Sequence, residues 1–155
     1  MSLIVLAEDD EISAATTIDA LMKAGHAVAH FTDGLQAIEA VRFRLPHLVI
    51  LDCNMPNLSG IEALRIIRQG EGLVSLPILM LTGRETLADQ QIARFEGANG
   101  YLVKPVAPEE LVYQAGKLIS LAASRRPSME ELAAESDRRG RPRLIGPAGA
   151  KRRFC

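Results

Sequence analysis

The apolar residues of this chain switch repeatedly between two periods, and that alternation narrows the fold more than any other feature. Runs near residues 3–7, 27–31, 47–52, 77–82 and 100–103 are short and strand-like. Between them, stretches near 11–24, 33–45, 59–69, 86–96 and 108–123 place apolar side chains at helical spacing. In the last stretch Leu111, Ala115, Leu118, Ile119 and Ala122 share one helical face. Five strands alternating with five helices predict an α/β fold, a doubly wound parallel sheet covered by helices on both sides. The first, third and fourth runs lack alternating polar residues, as strands buried on both faces do. Local punctuation agrees. Gly25 suits a left-handed cap after the first helix, Ser59 and Glu62 form a capping-box pattern, and Pro108 suits a first helical position.

Net charge divides the chain. The whole carries −1, but residues 1–120 hold nine Lys/Arg against fifteen Asp/Glu, whereas residues 121–155 hold nine against four. This asymmetry predicts a domain over 1–124 and a basic tail over 125–155. The tail is rich in Gly, Pro and Arg, with at most one short helix over 129–138 and otherwise disorder. A chain of 155 residues can bury a core in the first part. No apolar run approaches the ~20 residues of a membrane helix, and the start lacks a secretory pattern. Two cysteines, Cys53 and Cys155, give neither a disulfide framework nor metal-ligand spacing. Cys53 reads as a buried core thiol, and a cytoplasmic setting is expected.

Four positions stand just beyond the carboxyl ends of the apolar runs: the acidic cluster Glu8-Asp9-Asp10, then Asp52, Thr82 and Lys104. In an open parallel sheet the crevice at those ends is where ligands bind. Two unit charges 4 Å apart repel by roughly 4 kcal/mol at an effective dielectric of ~20, so converging carboxylates require a cation or protons. Oxygen-only ligands favour a hard ion such as Mg²⁺. The bland alternative is that the acids only cap helices and turns, for which Asp is well suited. Asp52 is the best nucleophile for a phosphoryl group. Lys104 and Thr82 offer an ammonium and a hydroxyl to its oxygens. Three consecutive acids leave open by one residue which two join Asp52.

The segment Asp52-Cys53-Asn54-Met55-Pro56-Asn57-Leu58-Ser59-Gly60 resembles the phosphorylation loop of response-regulator receiver domains, the CheY-like family of two-component signalling, which reads D-x-x-M-P-x-x-x-G. Leu81-Thr82-Gly83, Lys104-Pro105 and the opening Val5-Leu6-Ala7-Glu8-Asp9-Asp10 resemble that family's other motifs, in order, over roughly residues 3–122. The resemblance implies strand order 2-1-3-4-5 and Asp52 as phosphoacceptor. Glu8 and Asp9 become the acidic pair, Asp9 touching Mg²⁺ directly and Glu8 through water, and Asn54 supplies a backbone carbonyl to the metal. Thr82 and Tyr101 become switch residues and Lys104 a phosphoryl contact, with a cis Lys104–Pro105 bond. Arg84 occupies a position that affects dephosphorylation in the family.

The implied partners are a histidine kinase or histidine phosphotransfer protein, a downstream effector, and a second copy through the helix 4–strand 5–helix 5 face. The implied role is a signalling switch that assists only its own phosphorylation and dephosphorylation, not an enzyme acting on other substrates. His26, His30 and His47 show no relay or metal spacing and read as surface or boundary residues, so the chain would accept phosphate rather than originate it. A tail of this length is short for the output domains that often follow a receiver. Its Arg138-Arg139-Gly140-Arg141-Pro142-Arg143 segment resembles an AT-hook core, which makes a DNA-associated regulator the alternative reading. A phosphatase using Asp52 is disfavoured, because Asn54 stands where such enzymes place a second Asp.

Overall fold

In a computed structural model of the chain, residues 2–70, 73–83 and 87–125 are described. Strands and helices alternate as the periodicity predicts: β1 (Leu3–Ala7), α1 (Glu11–Lys23), β2 (Ala27–Phe31), α2 (Gly34–Arg44), β3 (Leu48–Leu51), α3 (Gly60–Gln69), β4 (Ile78–Thr82), α4 (Leu87–Phe95), β5 (Gly100–Val103) and α5 (Pro108–Arg125). The strands form one parallel sheet in the order β2-β1-β3-β4-β5, as expected. Arg84 and the tail beyond residue 125, including the short helix expected over 129–138 and the AT-hook-like segment, lie outside the described residues.

The two-residue period of a strand sorts the core into two layers. Ile4, Leu6, Leu48, Ile50, Leu79 and Leu81 pack with Ala14 and Leu21 of α1 and Leu111, Ala115 and Leu118 of α5. Val5, Ala7, Val49, Leu51, Ile78 and Met80 pack on the other side with Ala37 and Val41 of α2, Leu64 and Ile67 of α3, and Ala93 of α4. At about 25 cal/mol per Å² of apolar surface removed from water, these layers dominate the folding energy.

Helix ends follow the sequence cues. Asp10 and Asp33 cap α1 and α2 by accepting from Ser13 N (3.1 Å) and Gln36 N (2.8 Å). Ser59 and Glu62 close the expected capping box, and Gly25 takes φ +93° after α1. At the opposite end of the sheet from the acidic loops, the Arg68 guanidinium binds the carbonyls of Leu73, Leu76 and Gly97 and Asn99 Oδ1. Asn99 Oδ1 also accepts from Ile78 N, so one side chain ties the starts of β4 and β5 to α3.

Gly60 positions the loop after β3. Its N–H donates to Cys53 O at 3.1 Å, and a Cβ there would lie 2.1 Å from Asp52 O and 2.8 Å from Asp52 C. Backbone cannot yield to that contact, which explains why the loop motif closes on glycine. Gly116, inside α5, has open space for 4 Å around the place a methyl would take. Gly60→Ala is therefore expected to destabilise by about 2 kcal/mol or more. Gly116→Ala should stabilise by about 0.5–1 kcal/mol, since glycine is a poor helix former. Urea midpoints of the two variants check the opposite signs.

Candidate functional site at the carboxyl edge of the sheet

Parallel register aligns the strand ends. Ala7 pairs with both Phe31 and Leu51, Leu51 with Met80, and Thr82 with Val103. The ladder continues one step into the loops, where Glu8 N donates to Phe31 O, Asp52 N to Ala7 O and Lys104 N to Thr82 O. Glu8, Asp52, Thr82 and Lys104 consequently emerge at one edge. Strand order reverses between β1 and β3, which opens the crevice there.

One carboxylate oxygen each from Glu8, Asp9 and Asp52 lies within 4.8 Å of the others. Glu8 and Asp52 are buried, at 1% and 6% exposure, whereas Asp9 is exposed. Lys104 Nζ reaches Glu8 Oε2 at 2.5 Å and Asp52 Oδ2 at 3.3 Å. Asp52 Oδ1 also accepts from Asn54 N at 3.3 Å. Thr82 is fully buried as the last residue of β4. Tyr101 on β5 is half-buried against the α2–α3 layer. Lys104–Pro105 is cis, as expected from the motif.

The placement separates the three consecutive acids. Glu8 and Asp9 face Asp52, while Asp10 turns away to cap α1. The capping alternative thus holds for Asp10. Cys53 is buried in the core, matching its expected role.

Electrostatics follow from burial. Desolvation, foremost, raises the Glu8 carboxyl above its ordinary value; the Lys104 bond opposes this and Asp52 reinforces it. Burial pulls Lys104 down, but the Glu8 bond and the charges of Asp52 and Glu8 together carry it above its ordinary value. Among the described residues, one ammonium against three carboxylates leaves the edge short of positive charge. The donor set is all oxygen, with one buried carboxylate that resists ionisation, and this fits a hard divalent cation held by Glu8, Asp9 and Asp52.

The sequence pattern of the response regulator receiver domain matches residues 4–115. The chain belongs to the response regulator receiver family. It is a receiver domain of two-component signalling. Over 109 residues it is 37% identical to the DNA-binding response regulator MtrA of Mycolicibacterium paratuberculosis, covering 70% of this chain and 47% of that protein. Over 127 residues it is 32% identical to the alkaline phosphatase synthesis transcriptional regulatory protein PhoP of Bacillus subtilis, covering 81% and 52%. The chain spans about half the length of the curated relatives it matches. Among solved structures it resembles the chemotaxis protein CheY4 of Vibrio cholerae, with TM-score 0.73, 29% identity, and 76% and 98% of the two chains covered. It also resembles the receiver domain of sensor histidine kinase PA1611 of Pseudomonas aeruginosa, solved with a magnesium ion in its active site cleft (TM-score 0.72, 29% identity, coverage 77% and 98%).

Two contacts of this receiver domain were not anticipated. Ser13 Oγ donates to Glu8 Oε2 at 3.3 Å, and His30 Nε2 lies 2.7 Å from Glu8 O. Ser13 lies in the first turn of α1, five residues past Glu8, close enough along the chain for a short β1–α1 connection to have suggested it. His30 is brought near only by β1–β2 pairing, which no local pattern encodes.

Because the folded Glu8 carboxyl holds its proton more tightly than the unfolded one, its effect on stability has a definite sign. Stability of the cation-free protein should fall as pH rises from about 4.5, the ordinary value, through the raised folded value. In Glu8→Gln this falling component should disappear. Urea midpoints taken across the acid-to-neutral range in chelator check it.

Proposed function

We propose that this receiver domain accepts a phosphoryl group on Asp52 from a phosphohistidine of a histidine kinase or histidine phosphotransfer protein, in the cytoplasm. The observation that carries the reading is the Lys104 ammonium held between the buried carboxylates of Glu8 and Asp52, with Asp9 completing the oxygen cluster. An Asp52 oxygen attacks phosphorus in line. An O–P bond forms while the N–P bond breaks, and the donor imidazole leaves with the electron pair. Lys104 lies within 3.3 Å of Asp52 and meets the charge of the transferred group. The Thr82 hydroxyl, one strand away, donates to a phosphoryl oxygen after transfer. Asp9, Asp52 and the Asn54 carbonyl, with Glu8 through water, would hold Mg²⁺, which would supply charge neutralisation to the transferred group.

Transfer biases a two-state element. Thr82 is drawn toward the phosphoryl group and Tyr101 turns inward. The face of α4, β5 and α5 then changes for an effector protein or for a second copy of the chain. The domain acts as a switch that assists its own phosphorylation and dephosphorylation. Relatives such as MtrA are named DNA-binding regulators, but the similarity has the length of the receiver domain. DNA binding through residues 138–143 is therefore the lesser reading, and salt-dependent binding to A·T-rich duplex would favour it.

Incubation with a small acyl-phosphate donor and Mg²⁺ should add one base-labile phosphate by mass, and none in Asp52→Asn or in excess chelator. Label retained in Asp52→Asn would overturn the assignment. Mg²⁺ at tenfold its dissociation constant should stabilise the protein by about 1.4 kcal/mol.

Lys104 and Thr82 should act at different steps. Lys104→Ala is expected to slow labelling on the order of 10²-fold, since its charge serves the transition state. Thr82→Ala should label within about tenfold of wild type yet lose the change in tyrosine emission that follows phosphorylation. Tyrosine emission is usable because the chain contains no Trp and only two Tyr.

A further inference from the structure

The connection from β1 to α1 is three residues long, and two of its carboxylates enter the oxygen cluster. Where those carboxylates point depends on the peptide planes of Glu8 and Asp9. The Glu8 side chain is held by Lys104 Nζ, Ser13 Oγ and Asp10 N. Its backbone N–H donates to Phe31 O at 3.0 Å. Asp9, by contrast, is exposed, so the peptide that precedes it has more influence on its direction than packing does.

That peptide carries the Glu8 carbonyl, and the carbonyl lies 2.7 Å from His30 Nε2. A carbonyl oxygen only accepts, so Nε2 carries a proton in this contact. His30 stands on β2 opposite Leu6 of β1, and its half-buried ring reaches two residues past that partner to Glu8. We propose that His30 is a positioning residue of the acidic site, which fixes the Glu8–Asp9 peptide plane and thereby the geometry with which this chain holds its divalent cation. The inference rests on the reading of Glu8, Asp9 and Asp52 as the cation site. His30 touches neither cation nor phosphoryl group; it acts through the backbone of Glu8. Partners of this kind, one bond removed from a ligand, commonly change metal affinity about 10–100-fold when lost.

His47 provides the internal comparison. Its Nδ1 accepts from Leu3 N at 3.0 Å, a histidine–backbone bond at the other end of β1. The test is calorimetric titration of the full chain with Mg²⁺, without any phosphodonor, in wild type, His30→Ala, His30→Gln and His47→Ala. His30→Ala should bind Mg²⁺ about tenfold more weakly. His30→Gln, whose amide can donate to the same carbonyl, should recover most of that loss, and His47→Ala should bind as wild type does. Acyl-phosphate labelling of His30→Ala should then need more Mg²⁺ for half-maximal rate while reaching a near-normal maximum. Unchanged affinity in His30→Ala, or an equal loss in His47→Ala, overturns the inference alone. A wild-type chain that binds no divalent cation overturns it together with the reading beneath it.

Discussion

Two buried carboxylates beside one ammonium, at the point where the sheet reverses its strand order, set the conditions for the rest of this receiver domain. Glu8 and Asp52 have almost no access to water, and Lys104 places its Nζ close to both. An uncompensated charge at such depth costs several kcal/mol, so the arrangement persists only because three strand ends are held in fixed register around it. The apolar layers on both faces of the sheet supply that rigidity, and the close approach of Gly60 to the Asp52 carbonyl locks the loop that follows. Rigidity and charge frustration are complementary: the fold tolerates an electrostatically unfavourable edge, and that edge suits a divalent cation and a phosphoryl group.

The two ends of the sheet differ in kind. At the amino ends of β4 and β5, Arg68 meets four backbone or amide oxygens, and its charge is given wholly to holding turns. At the carboxyl ends the polar groups are held by one another and face a crevice. Among the described residues, α4 contributes only Ala93 to the buried core, while Leu87, Ile92 and Phe95 are largely exposed. Its outer end meets α3 through the Arg65–Glu96 ion pair at 2.9 Å, an exposed contact that solvent and salt screen. A helix so thinly packed is held by few buried apolar contacts and belongs to the less stable part of the domain.

Much of this was legible in the residues. Strand runs and helical spacing predict all ten elements within two or three residues at each end, because covered parallel strands and amphipathic helices write different periods. Asp52, Thr82 and Lys104 were legible as a group, since each lies at the end of an apolar run. Which two of the three acids join Asp52 was not legible from the apolar runs; only the family resemblance pointed to Glu8 and Asp9. Asp10 leaves the cluster because the first turn of α1 needs a cap for Ser13 N, and that choice depends on where the helix begins. The histidines were legible only as unremarkable: His30 and His47 prove to bind backbone groups across the β1–β2–β3 pairing, while His26 Nδ1 is buried without a hydrogen-bond partner.

The sequence by itself determined the fold class, the order of elements and the residues at the strand ends, because period, caps and loop motifs are local properties of the chain. Tertiary structure alone decided that Lys104 would sit between Glu8 and Asp52, 96 and 52 residues away, and that Glu8 would be the carboxyl raised by burial. It also decided that a histidine on β2 would bind the backbone carbonyl of an acid just past the end of β1. Those contacts depend on register and side-chain reach across strands, and the physical reason they escape the sequence is that parallel pairing joins residues whose separation along the chain carries no period at all.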